Sequence, residues 1–98
     1  MSILDGKAAI VTGGGRGIGK GHCLALARCG ASVIVNDIDR SVAAETVQAI
    51  EALGGKAAAS DANIASREGA EALIGQCVDA FGAVDILVNN AGNLRDRS

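Results

Sequence analysis

Glycine occupies five of the seven positions from 13 to 19, in the stretch TGGGRGIGK that follows the apolar residues 8–11. Each glycine adds conformational freedom to the unfolded chain, so such a cluster marks a place where the backbone must do something that a Cβ forbids. An apolar segment precedes the cluster and a helix-forming segment follows it. This is where α/β proteins bind phosphate, because the first N–H groups of a helix are unpaired and lie at its positive dipole end. The cluster therefore predicts a phosphate-binding loop.

Individual residues of this loop have separate predicted roles. Gly13 can take the tight turn that leaves the strand, Gly17 lacks the side chain that would keep a pyrophosphate from the backbone, and Gly19 permits close packing of the helix on the sheet. Arg16 is predicted to neutralise the pyrophosphate or to lie over an adenine ring. The spacing Gly-x-x-x-Gly-x-Gly differs from the common G-x-G-x-x-G form. The prediction of a dinucleotide site therefore depends on the strand that precedes the motif and the helix that follows it.

The same residues also come close to another phosphate-binding motif. From position 14 the chain has the form G-x-x-x-x-G-K-G, one residue away from the P-loop G-x-x-x-x-G-K-[ST]. Gly21 stands where the magnesium-binding hydroxyl of a P-loop should be, and the fourth predicted strand ends at Asn89 without a Walker-B aspartate. A P-loop-like NTPase is therefore the remote alternative, and it would show magnesium-dependent ATP binding.

Asp37 follows the second apolar strand, at about the 20-residue distance from the loop that is typical of dinucleotide-binding folds. A carboxylate there can accept hydrogen bonds from the adenosine ribose hydroxyls. It would repel a ribose 2′-phosphate, so it favours NAD over NADP. Arg16 is the counter-signal, because a basic residue in the loop could pair with that phosphate. The alternative for Asp37 is a solvated turn residue or a cap for the following helix.

Four short apolar segments alternate with three segments of helical periodicity. The predicted strands are residues 7–11, 31–35, 56–59 and 84–88, and the predicted helices cover residues 18–29, the region around 43–53, and residues 67–81. Gly30, Gly54 and Gly82 are predicted to end these helices, and Ser66 to cap the third. Strands that are apolar on both faces and alternate with helices imply a parallel sheet covered on both sides.

Size and composition bound the possibilities. The chain has 98 residues, 49% of them hydrophobic, and a formal charge of -2, which allows one domain or part of one. No segment resembles a signal peptide or a membrane span, so we expect a cytoplasmic protein without membrane contact. The absence of basic clusters argues against nucleic-acid binding. Cys23, Cys29 and Cys77 lack CxxC spacing and are expected to be buried free thiols, and the single histidine, His22, excludes a metal site built on paired imidazoles.

Three motifs together resemble the classical short-chain dehydrogenases/reductases. Residues 12–19 match the TGxxxGxG loop, Asp61 follows the third strand, and residues 89–92 form the NNAG motif after the fourth. The resemblance covers essentially the whole chain. It implies a Rossmann-type doubly wound parallel sheet, of which this chain would supply the first four strands, in the order 3-2-1-4, with three helices.

The resemblance also implies roles for individual residues. Asp61 and Ala62 would hold adenine, and Ile18 would pack near the phosphates at the start of the first helix. The NNAG residues would line the adenosine ribose through backbone groups and tie the central strands together through amide hydrogen bonds. The predicted cofactor-binding residues are thus Gly13, Arg16, Gly17, Ile18, Gly19, Asp37, Asp61, Ala62, Asn89, Ala91 and Gly92, with no metal ligand and no catalytic residue.

The activity implied for the complete protein is that of an NAD-dependent oxidoreductase, which passes a hydride between a secondary alcohol and a ketone. The segment Leu-Arg-Asp at residues 94–96 resembles that of family members acting on 3-hydroxyacyl or 3-oxoacyl thioesters and on hydroxysteroids. The catalytic serine, tyrosine and lysine of the family lie on later elements, and these 98 residues contain no tyrosine.

We therefore expect residues 1–98 to be the N-terminal part of a single NAD(P)-binding domain, truncated before the catalytic half and inactive alone. The complete enzyme is expected to be a homo-oligomer. In the truncated chain, the fourth strand would expose an unpaired edge and uncovered helix faces, which favours self-association. The alternative is a truncated, non-catalytic nucleotide-binding module.

Overall fold

The computed structural model describes residues 2–90. In chain order its elements are β1 (Ala8–Thr12), α1 (Gly17–Arg28), β2 (Ser32–Asn36), α2 (Arg40–Ala52), β3 (Ala57–Ser60), α3 (Arg67–Phe81) and β4 (Ile86–Asn89). The four strands are parallel and form one sheet in the order β3-β2-β1-β4. The predicted order 3-2-1-4 with three helices is confirmed.

The sheet is covered by helices on both faces, because alternate side chains of each strand point to opposite sides. On one face, the valines of β1 and β2 pack with α1 and α2 around Cys23 and Ile50. On the other face, Ile10 and Ile34 pack with α3 through residues such as Leu73. Each fully buried aliphatic side chain of this kind contributes roughly 1.5–3 kcal/mol of stabilisation. The two apolar layers hold the strand ends, and therefore the loops that follow them, in fixed positions.

All four strands end one residue later than the apolar pattern predicted. The last residues of β1, β2 and β3, Thr12, Asn36 and Ser60, lie side by side in the parallel register and are buried. The Asn36 Nδ2 donates to the Ser60 Oγ at 3.1 Å. The apolar pattern placed the strand ends one residue too early, because backbone pairing continues through these polar residues. Their side chains find hydrogen-bond partners within the sheet, Thr12 with Asn89 and Asn36 with Ser60.

The predicted helix ends are confirmed. Ser66 caps α3 by accepting a hydrogen bond from the Gly69 N–H at 2.9 Å. Gly82, after Phe81, has a φ of +88°, and Gly30 has a φ of +101° after α1. Both are in the left-handed region that glycine occupies without strain.

The apolar residues of α3 are only partly buried. Leu73 and Cys77 are buried, but Ile74 is 50% exposed and Val78 is 44% exposed. In β4, which is the edge strand on this side of the sheet, Leu87 is 61% exposed. Within residues 2–90, no element packs over this part of the α3 face. The predicted uncovered edge is therefore present in the structure.

The cysteines are free, as expected. Cys23 and Cys77 are buried, whereas Cys29 is half-buried at the end of α1. Burial raises the pKa of the Cys23 thiol to about 12. In the described part of the chain, none of the helices combines the length and the apolar character that crossing a membrane requires.

Candidate functional site

A cleft of about 830 Å³ lies at the carboxyl ends of the strands. It is lined by the segments that follow β1, β2 and β3, together with Asn90 after β4. The volume lies within the range of small-molecule and cofactor sites, and this edge of a parallel sheet is where open α/β folds bind ligands. Six of the predicted residues line it: Gly13, Arg16, Gly17, Ile18, Asp37 and Ala62.

The β1–α1 loop presents backbone to this cleft. Gly13 and Gly17 have φ values of +64° and +59°, so the chain turns sharply at both ends of the loop. Arg16 is the N-cap residue of α1 and provides no side-chain hydrogen bond to the first turn of the helix. A Cβ on Gly17 would have no heavy atom of residues 2–90 within 4 Å. The helix start is therefore open to the cleft and suits an anionic ligand.

The middle of the loop is held from behind. The Gly14 N–H donates to the Asn36 carbonyl oxygen at 2.9 Å, and the Gly15 N–H donates to Asp37 Oδ2 at 3.1 Å. The Gly15 carbonyl accepts a hydrogen bond from the Thr46 hydroxyl at 3.1 Å. Both glycines are buried. The loop is thus fastened to β2 and α2 rather than exposed as a flexible turn.

Gly19 is needed for close packing, but its neighbour is the loop itself. A Cβ on Gly19 would overlap the carbonyl oxygen of Gly13 and would stand 2.8 Å from the Asn90 Nδ2. That amide donates to the same Gly13 oxygen at 3.3 Å. The first turn of α1 therefore packs on the loop and on the residue after β4, and not on the sheet as predicted.

Two carboxylates and one guanidinium lie together along one side of the cleft. Asp37 is half-buried, and its Oδ1 accepts from the Asp39 N–H at 3.0 Å. The residue that caps α2 is Asp39, through the Ser41 and Val42 N–H groups, so the capping role considered for Asp37 belongs to Asp39. The Ser41 hydroxyl, helped by these N–H groups and by Arg16, holds the pKa of Asp39 below its ordinary value. The Arg16 guanidinium pairs with Asp39 at 3.3 Å.

Only one of the other described residues that were predicted, Ala62, lines the cleft. Asp61 does not line the cleft, and its exposed carboxylate pairs with Arg40 at 3.4 Å. Ala62 does line it, and its carbonyl accepts from Asn36 Nδ2 at 3.1 Å. Asn89 accepts a hydrogen bond from the Thr12 hydroxyl at 3.0 Å, which ties β4 to β1. Ala91 and Gly92 lie outside the described residues.

Six cleft residues lie outside the predicted set, namely His22, Asn36, Ile38, Asp39, Asn63 and Ile64, and a seventh, Asn90, was predicted only as a member of the NNAG motif. One of them carried a usable signal. Asn36 is a polar residue at the end of an otherwise apolar strand, and such a residue, when buried, must find hydrogen-bond partners. Its amide bonds to Ser60 and Ala62, so it joins β2 to the segment after β3. His22, Ile38, Asp39 and Asn63 are exposed and Ile64 packs half-buried against the core, so their types gave no local signal and only the folded chain brings them to the cleft.

Comparison with known proteins agrees with the loop motif and the strand order. The family model described as short chain dehydrogenase matches residues 7–98. The peroxisomal hydratase-dehydrogenase-epimerase of Neurospora crassa is 50% identical over 95 residues, which are 97% of this chain and 10% of that protein. The 3-oxoacyl-[acyl-carrier-protein] reductase of Synechocystis is 47% identical over 97 residues, which are 98% of this chain and 39% of the reductase. The chain thus spans well under half the length of these relatives.

Solved structures agree with the fold. A 7α-hydroxysteroid dehydrogenase complexed with NADH and 7-oxo glycochenodeoxycholic acid superimposes with a TM-score of 0.85 at 46% sequence identity. The match covers 88% of this chain and 34% of that one. The loop motif, the strand order and the family match all point the same way, and we conclude that this chain belongs to the short-chain dehydrogenase family.

Proposed function

We propose that this chain binds the adenosine diphosphate portion of NAD for an enzyme that transfers a hydride between a secondary alcohol and a ketone. The observation that carries the proposal is the cleft itself. It brings the open start of α1, where Gly17 leaves the backbone accessible, to the same cavity as the half-buried carboxylate of Asp37. A diphosphate requires the first feature, and a ribose diol fits the second.

The residues of the cleft fit the proposed ligand. The backbone of residues 16–18 would hold the diphosphate, and Asp37 would accept hydrogen bonds from the adenosine ribose. Ala62, together with its neighbours in the segment after β3, would lie against the adenine. The exposed carboxylate of Asp61, one oxygen of which pairs with Arg40, is proposed to accept from the exocyclic amine of adenine. Asn89, Ala91 and Gly92 are proposed to line the adenosine ribose through backbone groups.

Charge along the cleft supports NAD rather than NADP. Asp37 and Asp39 are both at the side where the ribose would lie, and each would repel a 2′-phosphate. Arg16 could attract that phosphate, but its guanidinium already pairs with Asp39. A relative with a known structure, the 7α-hydroxysteroid dehydrogenase, is complexed with NADH. These observations favour the dinucleotide without the 2′-phosphate.

The complete protein is proposed to be an oxidoreductase with a small-molecule substrate. When bound, the nicotinamide ring supplies the hydride acceptor or donor. The role of this chain is to bind the other half of the dinucleotide, and its 98 residues contain no tyrosine to act as the proton donor that the family uses. We propose that residues 1–98 are the first part of one dinucleotide-binding domain, and that the complete enzyme assembles as a homo-oligomer in the cytoplasm. The names of the relatives support 3-oxoacyl or hydroxysteroid substrates.

Calorimetric titration of the folded chain tests the proposal. We expect ADP-ribose to bind, 2′-phospho-ADP-ribose to bind more weakly, and ATP to gain nothing from added Mg²⁺. We also expect no NADH formation from NAD and a secondary alcohol. Absence of heat with ADP-ribose would reject the proposal, and magnesium-dependent ATP binding would favour an NTPase instead.

A further inference from the structure

Thr46 is a fully buried polar residue on the inner face of α2. It is 0% exposed and lies between the buried residues Ala43 and Ile50 of the same helix. A hydroxyl in apolar surroundings is unfavourable unless it is hydrogen-bonded. Its partner is the carbonyl oxygen of Gly15, at 3.1 Å and 31 residues away in the chain. The hydroxyl therefore joins the inner face of α2 to the glycine loop.

This contact is not the one that a helix provides by default. A threonine inside a helix can donate to the carbonyl four residues earlier, which for Thr46 is that of Val42. Here the hydroxyl instead donates to a separate segment. The loop lies directly on the helix at this point, since a Cβ on Gly15 would stand 2.9 Å from the Val42 Cβ. Both the contact and the missing Cβ place the Gly15 backbone against α2.

Both peptide groups of Gly15 are held by residues outside the loop. Asp37 accepts from its N–H, and Thr46 donates to its carbonyl. In a trans peptide the carbonyl of one residue and the N–H of the next share a plane and point in opposite directions. The described residues contain no cis peptide bond. Because the Gly15 carbonyl points to α2, the Arg16 N–H points away from α2.

The direction of the Arg16 N–H matters for the cleft. Arg16 and Gly17 line the cleft, and Arg16 is the N-cap residue where α1 begins. A peptide plane that is free to rotate would present the Arg16 N–H to the cleft only part of the time, so holding it in advance lowers the cost of ordering the loop around an anion.

We propose that Thr46 is a positioning residue for the diphosphate of the dinucleotide, which it never touches. By holding the Gly15 carbonyl from behind, it directs the following N–H toward the cleft. The proposal rests on the proposed function, since it requires that a diphosphate binds at the start of α1. A substitution that removes the hydroxyl should weaken binding of the diphosphate more than binding of adenosine.

The test compares Thr46→Val, which keeps the shape and removes the hydroxyl, with Thr46→Ser, which keeps the hydroxyl. Titrations of the ¹⁵N-labelled chain with ADP-ribose and with adenosine, followed by NMR, give both dissociation constants and show whether each variant is folded. We expect Thr46→Val to raise the Kd for ADP-ribose by about three- to tenfold, the contribution of one hydrogen bond, with little change for adenosine. The Arg16 amide signal should then respond less to ADP-ribose, and Thr46→Ser should restore both effects.

Ile50→Val is the matched control, because it weakens the same buried face of α2 one turn further on without touching Gly15. If general loosening of α2 were the cause, Ile50→Val would raise the ADP-ribose Kd as Thr46→Val does, and the proposal would be wrong. Equal ADP-ribose affinity in wild type and in Thr46→Val, or equal loss for ADP-ribose and adenosine, would also overturn it. If wild type does not bind ADP-ribose, the proposed function itself fails, and this result is distinct from the others.

Discussion

The carboxylate of Asp37 accepts a hydrogen bond from the backbone N–H of Gly15, with 3.1 Å between N and Oδ2, across 22 residues of sequence. Its other oxygen accepts from the Asp39 N–H at 3.0 Å. One side chain at the end of β2 thus holds the glycine loop and shapes the turn into α2. Its charge and its hydrogen bonds have separate consequences, which substitution can distinguish.

Asp37→Asn is expected to relax the preference against a 2′-phosphate. The amide oxygen of asparagine can still accept from the Gly15 N–H, whereas the negative charge is lost. We expect the ratio of affinities for ADP-ribose and 2′-phospho-ADP-ribose to fall by about tenfold, equivalent to about 1.4 kcal/mol. Calorimetric titration with both ligands measures this ratio.

Two further variants complete that experiment. Asp37→Ala also removes the acceptor, so its free energy of unfolding should fall by about 1–2 kcal/mol in urea titration. Glu45→Gln, on an exposed position of α2, is the charge control and should leave the ratio unchanged. An unchanged ratio in Asp37→Asn would show that the carboxylate does not face the ribose.

Two glycines of α1 should respond oppositely to alanine. A Cβ on Gly19 would overlap the Gly13 carbonyl oxygen, so Gly19→Ala must displace the loop and should abolish ADP-ribose binding. A Cβ on Gly21 meets no atom of residues 2–90 within 4 Å, so Gly21→Ala should raise the free energy of unfolding by roughly 0.5–1 kcal/mol through helix propensity. Urea denaturation and calorimetry of both variants check this. ADP-ribose affinity in Gly19→Ala equal to that of wild type would contradict the packing seen at the start of α1.

The chain should lose stability in alkaline solution through its buried thiols. Burial raises the pKa of Cys23 from 9.0 to about 12 and raises the pKa of Cys77 in the same direction. Above pH 9 the unfolded chain ionises Cys23 while the folded chain does not, so the free energy of unfolding should fall by up to about 1.4 kcal/mol per pH unit until about pH 12. Urea titrations at increasing pH measure the slope.

Cysteine variants show which thiol causes the fall of the free energy of unfolding with pH. Cys23→Ala should show a shallower decline than wild type, because alanine has no proton to lose. Cys29→Ala, which removes a half-buried thiol, serves as the control and should keep most of the decline. A slope that is identical in wild type and Cys23→Ala would show that this thiol does not contribute.

The uncovered side of the sheet should make the 98-residue chain self-associate. Leu87 pairs in register with Ile10, so it lies on the same face as α3, where Ile74 and Val78 are also exposed. We expect sedimentation velocity to show concentration-dependent association that Leu87→Lys reduces. Leu53→Lys, at a leucine that is 49% exposed at the end of α2, is the control and should have no such effect. A monomeric wild-type chain at all concentrations would refute this prediction.

Much of the fold could be predicted from local patterns. The alternation of apolar strands and periodic helices is visible in the chain, and the glycines after each helix occupy left-handed positions, as at Gly30 and Gly82. Strand ends were less accurate, because Asn36 and Ser60 are polar yet paired within the sheet. A polar residue is compatible with a buried strand when a neighbour satisfies it, and that neighbour is not local in sequence.

For the candidate site, the sequence by itself determined which residue types were available: a glycine loop before a helix, a carboxylate after the second strand, and a family motif after the fourth. Only the tertiary structure decided which of them meet. It paired Asp61 with Arg40 outside the cleft, placed Asn90 on Gly13, and brought the Thr46 hydroxyl to the back of the loop. Such contacts depend on the order and register of parallel strands and on the packing of helices across them, and these are set by the whole core rather than by neighbouring residues.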